Sequence, residues 1–483
     1  MPRSNNAAGA PATRSAGAVT LAALLAGCVA GPNYVAPAAP SAASYSADAL
    51  PNLAAGDMLP DVALVAPAQW WTLLDSARLD STIRAALAAN RNLEAARTTL
   101  AEAQSNSAAT ESGRYPHVDL DAGAGRQKYG AAFLGPEHLP PFTYFSIGPA
   151  VSYAFDFAGG VRRTIEQQRA LTEYQQHELE AAALSVSGNV AMQALALAAA
   201  RAQIENLDAL LEDDRRNLAL VQDSFAAGAA TRVDLLNAQS QLANDQTLLP
   251  PLRRDLSVAM HALALLVGRT PAEWSAPDFR LDEFTLPAHL PLTLPSELAH
   301  RRPDILAAEA RLHAATAAVG VASANLYPQI SLTATASLQA NTLHALFDAS
   351  AAAGGVAGSL TQPLFNHGAL HARQQAALAA MHAALADYEQ VVLSSFAQVA
   401  DALEALDHDQ ELLAGEQSAV AIASENLALT RESFSAGNSG VLQVLEAQRQ
   451  NQQARIGWVH AQAQRLQDTV RLLLALGGQA PTD

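Results

Sequence analysis

Cys28 is the only cysteine in the chain, and its neighbours specify a covalent chemistry. It closes the bacterial lipobox-like run Leu25-Ala26-Gly27-Cys28, preceded by a short stretch of Ala, Val and Leu and by Arg3 and Arg14. A positive leader, an apolar run and small residues make an export signal. The small residues let a signal peptidase reach the bond before Cys28. The thiol then takes a diacylglyceryl group, and the freed amine is acylated. Several acyl chains would anchor the protein firmly, since each buried CH₂ contributes ~0.8 kcal/mol. An aspartate after the cysteine would resemble an inner-membrane retention signal; Val29 stands there instead and points to the outer membrane. A buried cysteine behind an ordinary signal peptide is the plainer alternative, but it leaves the position of the single thiol unexplained.

Elsewhere the reactive side chains do not converge. His177-Glu178 lacks the second histidine of a zinc-protease helix. His367 and His371 sit one turn apart at a helix start, where solvent-facing roles outweigh a metal site. Gly123-Ala124-Gly125 is not followed by the helix that a dinucleotide turn requires. In His300-Arg301-Arg302-Pro303-Asp304, the acid after proline suits a first helical turn, so this charged cluster reads as structural. No catalytic residue, metal site or cofactor is expected, apart from the lipid on Cys28.

The elements that carry these residues are dictated by composition. The chain has 483 residues, 50% of them hydrophobic, 5% aromatic and 16% charged, with a net charge of −17. The apolar content excludes a disordered acidic chain, and the charge argues against a nucleic-acid partner. The only compact apolar stretch, residues 18–26, is shorter than the ~20 residues of a spanning helix. A helical membrane bundle is therefore not expected.

The chain is duplicated. Arg114-Tyr115-Pro116 with Val118 and Leu120 resembles Leu326-Tyr327-Pro328 with Ile330 and Leu332. Ser224-Phe225-Ala226-Ala227-Gly228 resembles Ser433-Phe434-Ser435-Ala436-Gly437. Each half opens with an Ala-rich helical segment, residues 76–112 or 303–325, ended by its Tyr-Pro pair. Two strand-like stretches follow. Phe145, Ile147, Val151, Tyr153, Phe155 and Phe157 alternate with small or polar residues, as do Ile330, Leu332, Ala334, Ala336 and Leu338. Such alternation over ~9–11 residues marks a membrane-barrel strand. Residues 161–227 and 369–436 then hold no proline and one glycine each, which predicts helices of about 100 Å. Gly228 and Gly437 suit left-handed caps at hairpin tips. Returning helices are expected over residues 232–267 and 441–476, the first bent or broken by Pro250 and Pro251.

Four membrane strands do not close a barrel, for which eight is about the minimum, and open strand edges are not tolerated in lipid. Several copies must share one barrel; three would give twelve strands and twelve helices. Alanine permits close helix packing. A soluble coiled coil would show strict Leu or Ile heptads instead.

The sequence resembles the TolC-like outer-membrane efflux proteins, in the lipoprotein branch called OprM/NodT. The resemblance rests on Gly27-Cys28, Gly31-Pro32-Asn33-Tyr34, Trp70-Trp71, Leu79-Asp80, Leu294-Pro295-Ser296-Glu297-Leu298 and Arg302-Pro303-Asp304-Ile305. It also rests on Asp156-Phe157-Ala158-Gly159, Pro363-Leu364-Phe365-Asn366-His367-Gly368, and the tip motifs ending in Ala238-Gln239 and Ala447-Gln448-Arg449. It implies a mainly α fold with β: a trimeric outer-membrane β-barrel, four strands per chain and twelve in total, continued by a long periplasmic α-helical barrel with two structural repeats per chain. It also implies outer-membrane lipid around the barrel, a periplasmic adaptor, an inner-membrane transporter of the resistance-nodulation-division type, and passive exit of drugs or other small molecules. By motif position it places a periplasmic gate at Leu442, Glu446 and Arg449, with Asp234 and Asn237 as first-half counterparts. An ordinary surface ion pair between Glu446 and Arg449 stays open beside that role.

The expected organisation is a signal peptide (1–27), an extended anchor segment (28–66), a first repeat (67–267), a linker (268–302), a second repeat (303–476) and a tail (477–483). Two other functions remain open: the outer channel of a type I protein secretion system, and a structural lipoprotein with a helical stalk.

Overall fold

The computed structural model describes residues 29–38, 44–45, 58–61, 67–129, 140–292 and 294–477. The expected signal peptide, Cys28 and residues 478–483 of the tail lie outside the described residues. In chain order the elements are β1 (Leu59–Asp61), α1 (Ala77–Ala89), α2 (Arg91–Glu111), β2 (His117–Gln127), β3 (Phe142–Phe155), α3 (Gly160–Ala226), α4 (Arg232–Gln246), α5 (Leu249–Leu266), β4 (His289–Pro291), α6 (Pro295–Leu298), α7 (Pro303–Ala324), β5 (Gln329–Ala340), β6 (Ala352–Thr361), α8 (Ala369–Ser435) and α9 (Val441–Ala475). Two compact units form. One draws on Met1–Ala36, Ala101–Tyr174 and Glu309–Asp387; the other takes Pro37–Leu100, Gln175–Ala308 and Tyr388–Asp483. Both units mix residues from the two repeats.

The first unit holds an antiparallel sheet in the order β2-β3-β5-β6. Directly opposite residues share a face, so the register sorts the side chains. Val118, Leu120 and Ala122 stand opposite Val151, Pro149 and Ile147. Ile147, Val151, Tyr153 and Phe155 stand opposite Leu338, Ala334, Leu332 and Ile330. Ile330 and Ala334 meet Leu360 and Val356. One face is thus apolar across all four strands. The other carries His117, Ser152, Thr333 and Ala357 in one row, and Ser331 with Ser359 in another. The apolar face is open in the protomer: Leu120 is 72% exposed and Val356 75%. Pro149 has no N–H to give, and the β3–β5 ladder skips residues 148–149. Gly148 tolerates the close approach there, since an added Cβ would lie 2.2 Å from the Ala336 carbonyl oxygen. The chain leaves β3 two residues earlier than the alternation suggested, because the Asp156 carboxylate accepts from the Val161 and Arg162 amides, both at 2.9 Å, and starts α3.

In the second unit, Trp70 and Trp71 pack edge to face at 6.0 Å. Around them lie Leu79 and Ile83 of α1, Val190, Ala194 and Leu195 of α3, Leu263 of α5, and Val470 and Leu473 of α9. Both indole N–H groups find acceptors, Trp70 at Ser187 (3.2 Å) and Trp71 at Asp80 (2.8 Å). The uninterrupted helix expected over residues 76–112 is two helices. Asn90 separates them: its side-chain oxygen accepts from the Asn92 and Leu93 amides, and its side-chain amide donates to the Leu266 carbonyl at 2.8 Å. The first two bonds are a local N-cap; the third ties that cap to α5. The first returning helix does break, into α4 and α5, with the prolines in the first turn of α5. Residues 268–302 are more than a linker. Phe279 and Phe284 enter the core, and β4 pairs in parallel with β1, a small second sheet that the sequence reading did not foresee. Arg302 is buried and donates to Ala475, Asp304 and Gln398, which supports the structural role read for that cluster.

Two helices, α3 and α7, contain 18-residue stretches apolar enough to cross a membrane by length and composition. Residues 18–26 are therefore not the only such stretch. Alanine supplies this hydropathy, and half of each stretch is buried inside the protein.

Candidate functional site

Both hairpin tips close the same way. The Gly228 amide donates to the Phe225 carbonyl and the Ala229 amide to that of Ser224; Gly437 and Asn438 repeat this with Phe434 and Ser433. This paired pattern is the Schellman motif. It needs a left-handed residue, and Gly228 (φ 73°) and Gly437 (φ 76°) supply it.

The starts of the returning helices differ. Thr231 and Asp234 form a full capping box: the Thr231 hydroxyl accepts from the Asp234 amide at 3.2 Å, and the Asp234 carboxylate accepts from the Thr231 amide at 2.8 Å. The Thr231 hydroxyl and amide hold the Asp234 carboxyl below the usual carboxylate range. In the second tip Gly440 has no side chain, so only the return bond remains, from the Gly440 amide to Gln443 at 3.1 Å. Asp234 thus has a local job at the cap, and Asn237 is exposed beside it.

Glu446 accepts from Arg449 at 3.0 and 2.6 Å and from Gln450 at 2.9 Å, all within α9. Arg449 first, then Gln450, holds the Glu446 carboxyl below its ordinary range. Leu442, which is 49% exposed, shares with Glu446 a shallow groove of about 540 Å³ against Asn426, Leu429 and Thr430 of α8. Arg449 does not line it. The two tips are joined by an apolar cluster of Val221 (α3), Ala238 (α4) and Leu445 (α9), with Leu218, Leu235 and Val441 packed on it.

Sequence reasoning missed the polar ties between helices. Gln448 is buried and accepts from Asn217 of α3; its counterpart in the repeat, Gln239, is exposed. Arg431 of α8 meets Asp213 of α3 at 2.6 Å. Each hairpin also sets two carboxyl groups against each other between its outgoing and returning helices: buried Asp214 with half-buried Asp245, and Asp409 with Asp468, both buried. One oxygen of Asp214 and one of Asp409 are buried with no donor in reach. A proton on one carboxyl of each pair, donated to the other, would satisfy them. Burial, reinforced by the neighbouring carboxylate, pushes Asp214 and Asp409 up to about 7. Repeat matching gave no warning, because the two pairs occupy different positions in their hairpins.

Of the other sequence candidates, Gly123–Gly125 lie within β2, which leaves no helix for a phosphate turn. His367 is a left-handed turn residue whose ring lies tilted against Phe365 at 4.5 Å. His177 bonds Glu180 at 2.9 Å.

A sheet with one apolar face and open edges, on a chain that also builds two long helical hairpins, defines a subunit of an outer-membrane channel. The family model described as "Outer membrane efflux protein" matches residues 82–269 and 294–478. The chain belongs to that family. It is 32% identical over 424 residues to the pyoverdine export outer membrane protein OpmQ of Pseudomonas aeruginosa, covering 86% of this chain and 88% of the relative. It is 29% identical to the outer membrane protein OprJ of the same organism, covering 95% of each. Among solved structures, the outer-membrane channel OprN superposes with a TM-score of 0.84 at 27% identity, covering 94% of this chain and all of that one.

Proposed function

We propose that this efflux channel is a homotrimer whose four-stranded sheets join into one twelve-stranded barrel, giving small molecules passive exit from the periplasm. In this reading it is held by a lipid on Cys28. It receives cargo from a periplasmic adaptor and an inner-membrane transporter of the resistance-nodulation-division type. The observation that carries the proposal is the sheet: one face apolar over four strands, the other small and polar, with no strand on the outer sides of β2 and β6 among the described residues. Lipid excludes unpaired edges, so copies must close the ring. OpmQ is named for the export of one small molecule, which fits this cargo class.

Native mass spectrometry in detergent should give a trimer, and planar bilayers should show single-channel conductance. A stable monomer with an intact β signal and no conductance would overturn the reading. Labelling with a radioactive fatty acid tests the anchor: Cys28→Ser should lose the label.

In the same reading Leu442, Glu446 and Arg449 narrow the periplasmic end. Three Glu446 copies around one axis repel by about 1 kcal/mol per pair at 4 Å in bulk water, and more where water is scarce; Arg449 offsets this. Glu446→Gln should lower cation selectivity, and Arg449→Ala should loosen the closed state and raise conductance. High salt should shrink the selectivity effect. Wild-type selectivity and conductance in both variants would return the pair to an ordinary surface contact.

A further inference from the structure

Arg163 is 3% exposed, so its charge needs acceptors close by. It has three. Glu166, one turn further along α3, accepts at 2.7 Å. The Ala30 carbonyl and the Asn33 side-chain oxygen accept at 3.2 and 2.7 Å. Two of the three come from residues 29–34, far away in sequence. Tyr34 adds a second hold: its hydroxyl donates to Glu309 at 3.0 Å and its ring stacks on His313 at 4.3 Å. His313 in turn contacts Glu166 at 3.1 Å, so the charged groups form one connected cluster.

The backbone fits as closely. Gly31 has φ 83°, and a Cβ there would lie 2.5 Å from the Gly320 Cα. A Cβ on Gly320 would lie 2.7 Å from the Arg163 side chain. The stack Gly31–Gly320–Arg163 therefore exists only because two of its layers lack side chains. At the strap's leading end the Ala30 amide donates to the Ala158 carbonyl at 2.9 Å, and Val29 lies against Gly159 in the turn between β3 and α3. A segment resting passively on a surface would show neither a shared buried cation nor a paired-glycine crossing.

We infer that residues 29–34 are a latch: Asn33 and Tyr34 seat in a socket made by Arg163, Glu166, Glu309 and His313, and the socket fixes where the N-terminus leaves the folded unit, at the strand-to-helix turn. Cys28, the residue proposed to carry the lipid, comes directly before Val29. On the acylation reading above, the latch therefore couples anchor and sheet, and a chain with its lipid but without its latch assembles poorly. Cation and strap depend on each other. Removing Asn33 leaves Arg163 short of a partner, and a side chain on Gly31 forces the strap off Gly320.

The test uses full-length protein in outer-membrane vesicles. Gly31→Val and the milder Asn33→Ala are compared with wild type and Cys28→Ser. Three quantities are read: the mass of the N-terminal peptide, the rate of chymotrypsin cleavage at Tyr34, and the yield of heat-resistant oligomer. Both latch variants should keep the wild-type acyl mass increment on that peptide once the substitution itself is subtracted, be cleaved at least about tenfold faster, and give several-fold less oligomer. Cys28→Ser should keep the strap protected, because the latch is built from residues after the cysteine. Wild-type cleavage rates in both latch variants would overturn the inference, and so would loss of protection in Cys28→Ser. An unacylated wild-type protein with a protected strap would support the latch while removing the lipid anchor from the proposed function.

Discussion

Ile147→Arg is expected to abolish the heat-resistant oligomer, and Ser146→Arg, one residue away, to leave it in place. Ile147 is near the middle of β3, opposite Ala122 on one side and Leu338 on the other, within the apolar face. Ser146 belongs to the other face, opposite Gly123 and Gln339, the face that carries the small and polar residues. An arginine on the lipid side of a barrel strand costs about 2–4 kcal/mol at the bilayer midplane. A closed ring repeats that cost in every copy. Unheated gel electrophoresis of membrane fractions reads the outcome. Equal loss in both variants would mean that the two faces do not see different surroundings, and the membrane assignment of the sheet would fail with it.

Asp214→Asn and Asp409→Asn should raise the thermal midpoint at pH 8 and flatten its dependence on pH. Both carboxyls sit near 7 in the folded chain against an ordinary 3.8. The folded state therefore binds protons more tightly than the unfolded one between those values. The stability they contribute is present below about 4, is lost as pH rises toward 7, and stays lost above it. Other carboxyls act in the opposite direction: Asp80, Glu166 and Asp234 are held low, and their contribution disappears as pH falls. The readout is accordingly the difference between variant and wild type. An asparagine donates permanently where the shared proton was, so the gain at pH 8 should reach a few degrees, at roughly 2–4 °C per kcal/mol. Asp214 should show the larger effect, because Gln464 and Arg465 already favour the ionised form of Asp409. Parallel midpoint curves for variant and wild type from pH 4 to 8 would remove the shared proton from the account.

The long helices and their tips were legible because the signals are local. An absence of proline over residues 161–227 and 369–436, closed by Gly228 and Gly437, leaves few other structures for that stretch. β3 and β5 were legible through alternation, β2 and β6 only as their expected mates, and the register then placed Val118, Val151, Ala334 and Val356 on one face. The break at Asn90 was hidden because its side chain, which caps the next helix locally, is held in place by a bond to Leu266, more than a hundred residues away. Residues 268–302 read as a linker because their prolines are conspicuous; the burial of Phe279 and Phe284 depends on a core that no window reveals. Among the candidate site residues, Glu446 and Arg449 were singled out through a motif. Asp234 turned out to have a capping role that its spacing from Thr231 already encoded, as a threonine followed three residues later by an acid. The carboxyl pairs join residues whose neighbourhoods carry no sequence pattern, and Gly31-Pro32-Asn33-Tyr34, although visible as a motif, gave no sign that Arg163 was its partner.

The unpaired sides of β2 and β6 also bear on inheritance. On the three-copy reading, the β6 edge of one chain closes on the β2 edge of the next, a head-to-tail ring that a single faulty edge leaves open. In a cell making sound and edge-damaged chains in equal amounts and mixing them at random, about one ring in eight would contain sound chains only. A lesion in either edge strand would then act dominantly, whereas one that keeps a chain from leaving the cytoplasm would merely halve the supply.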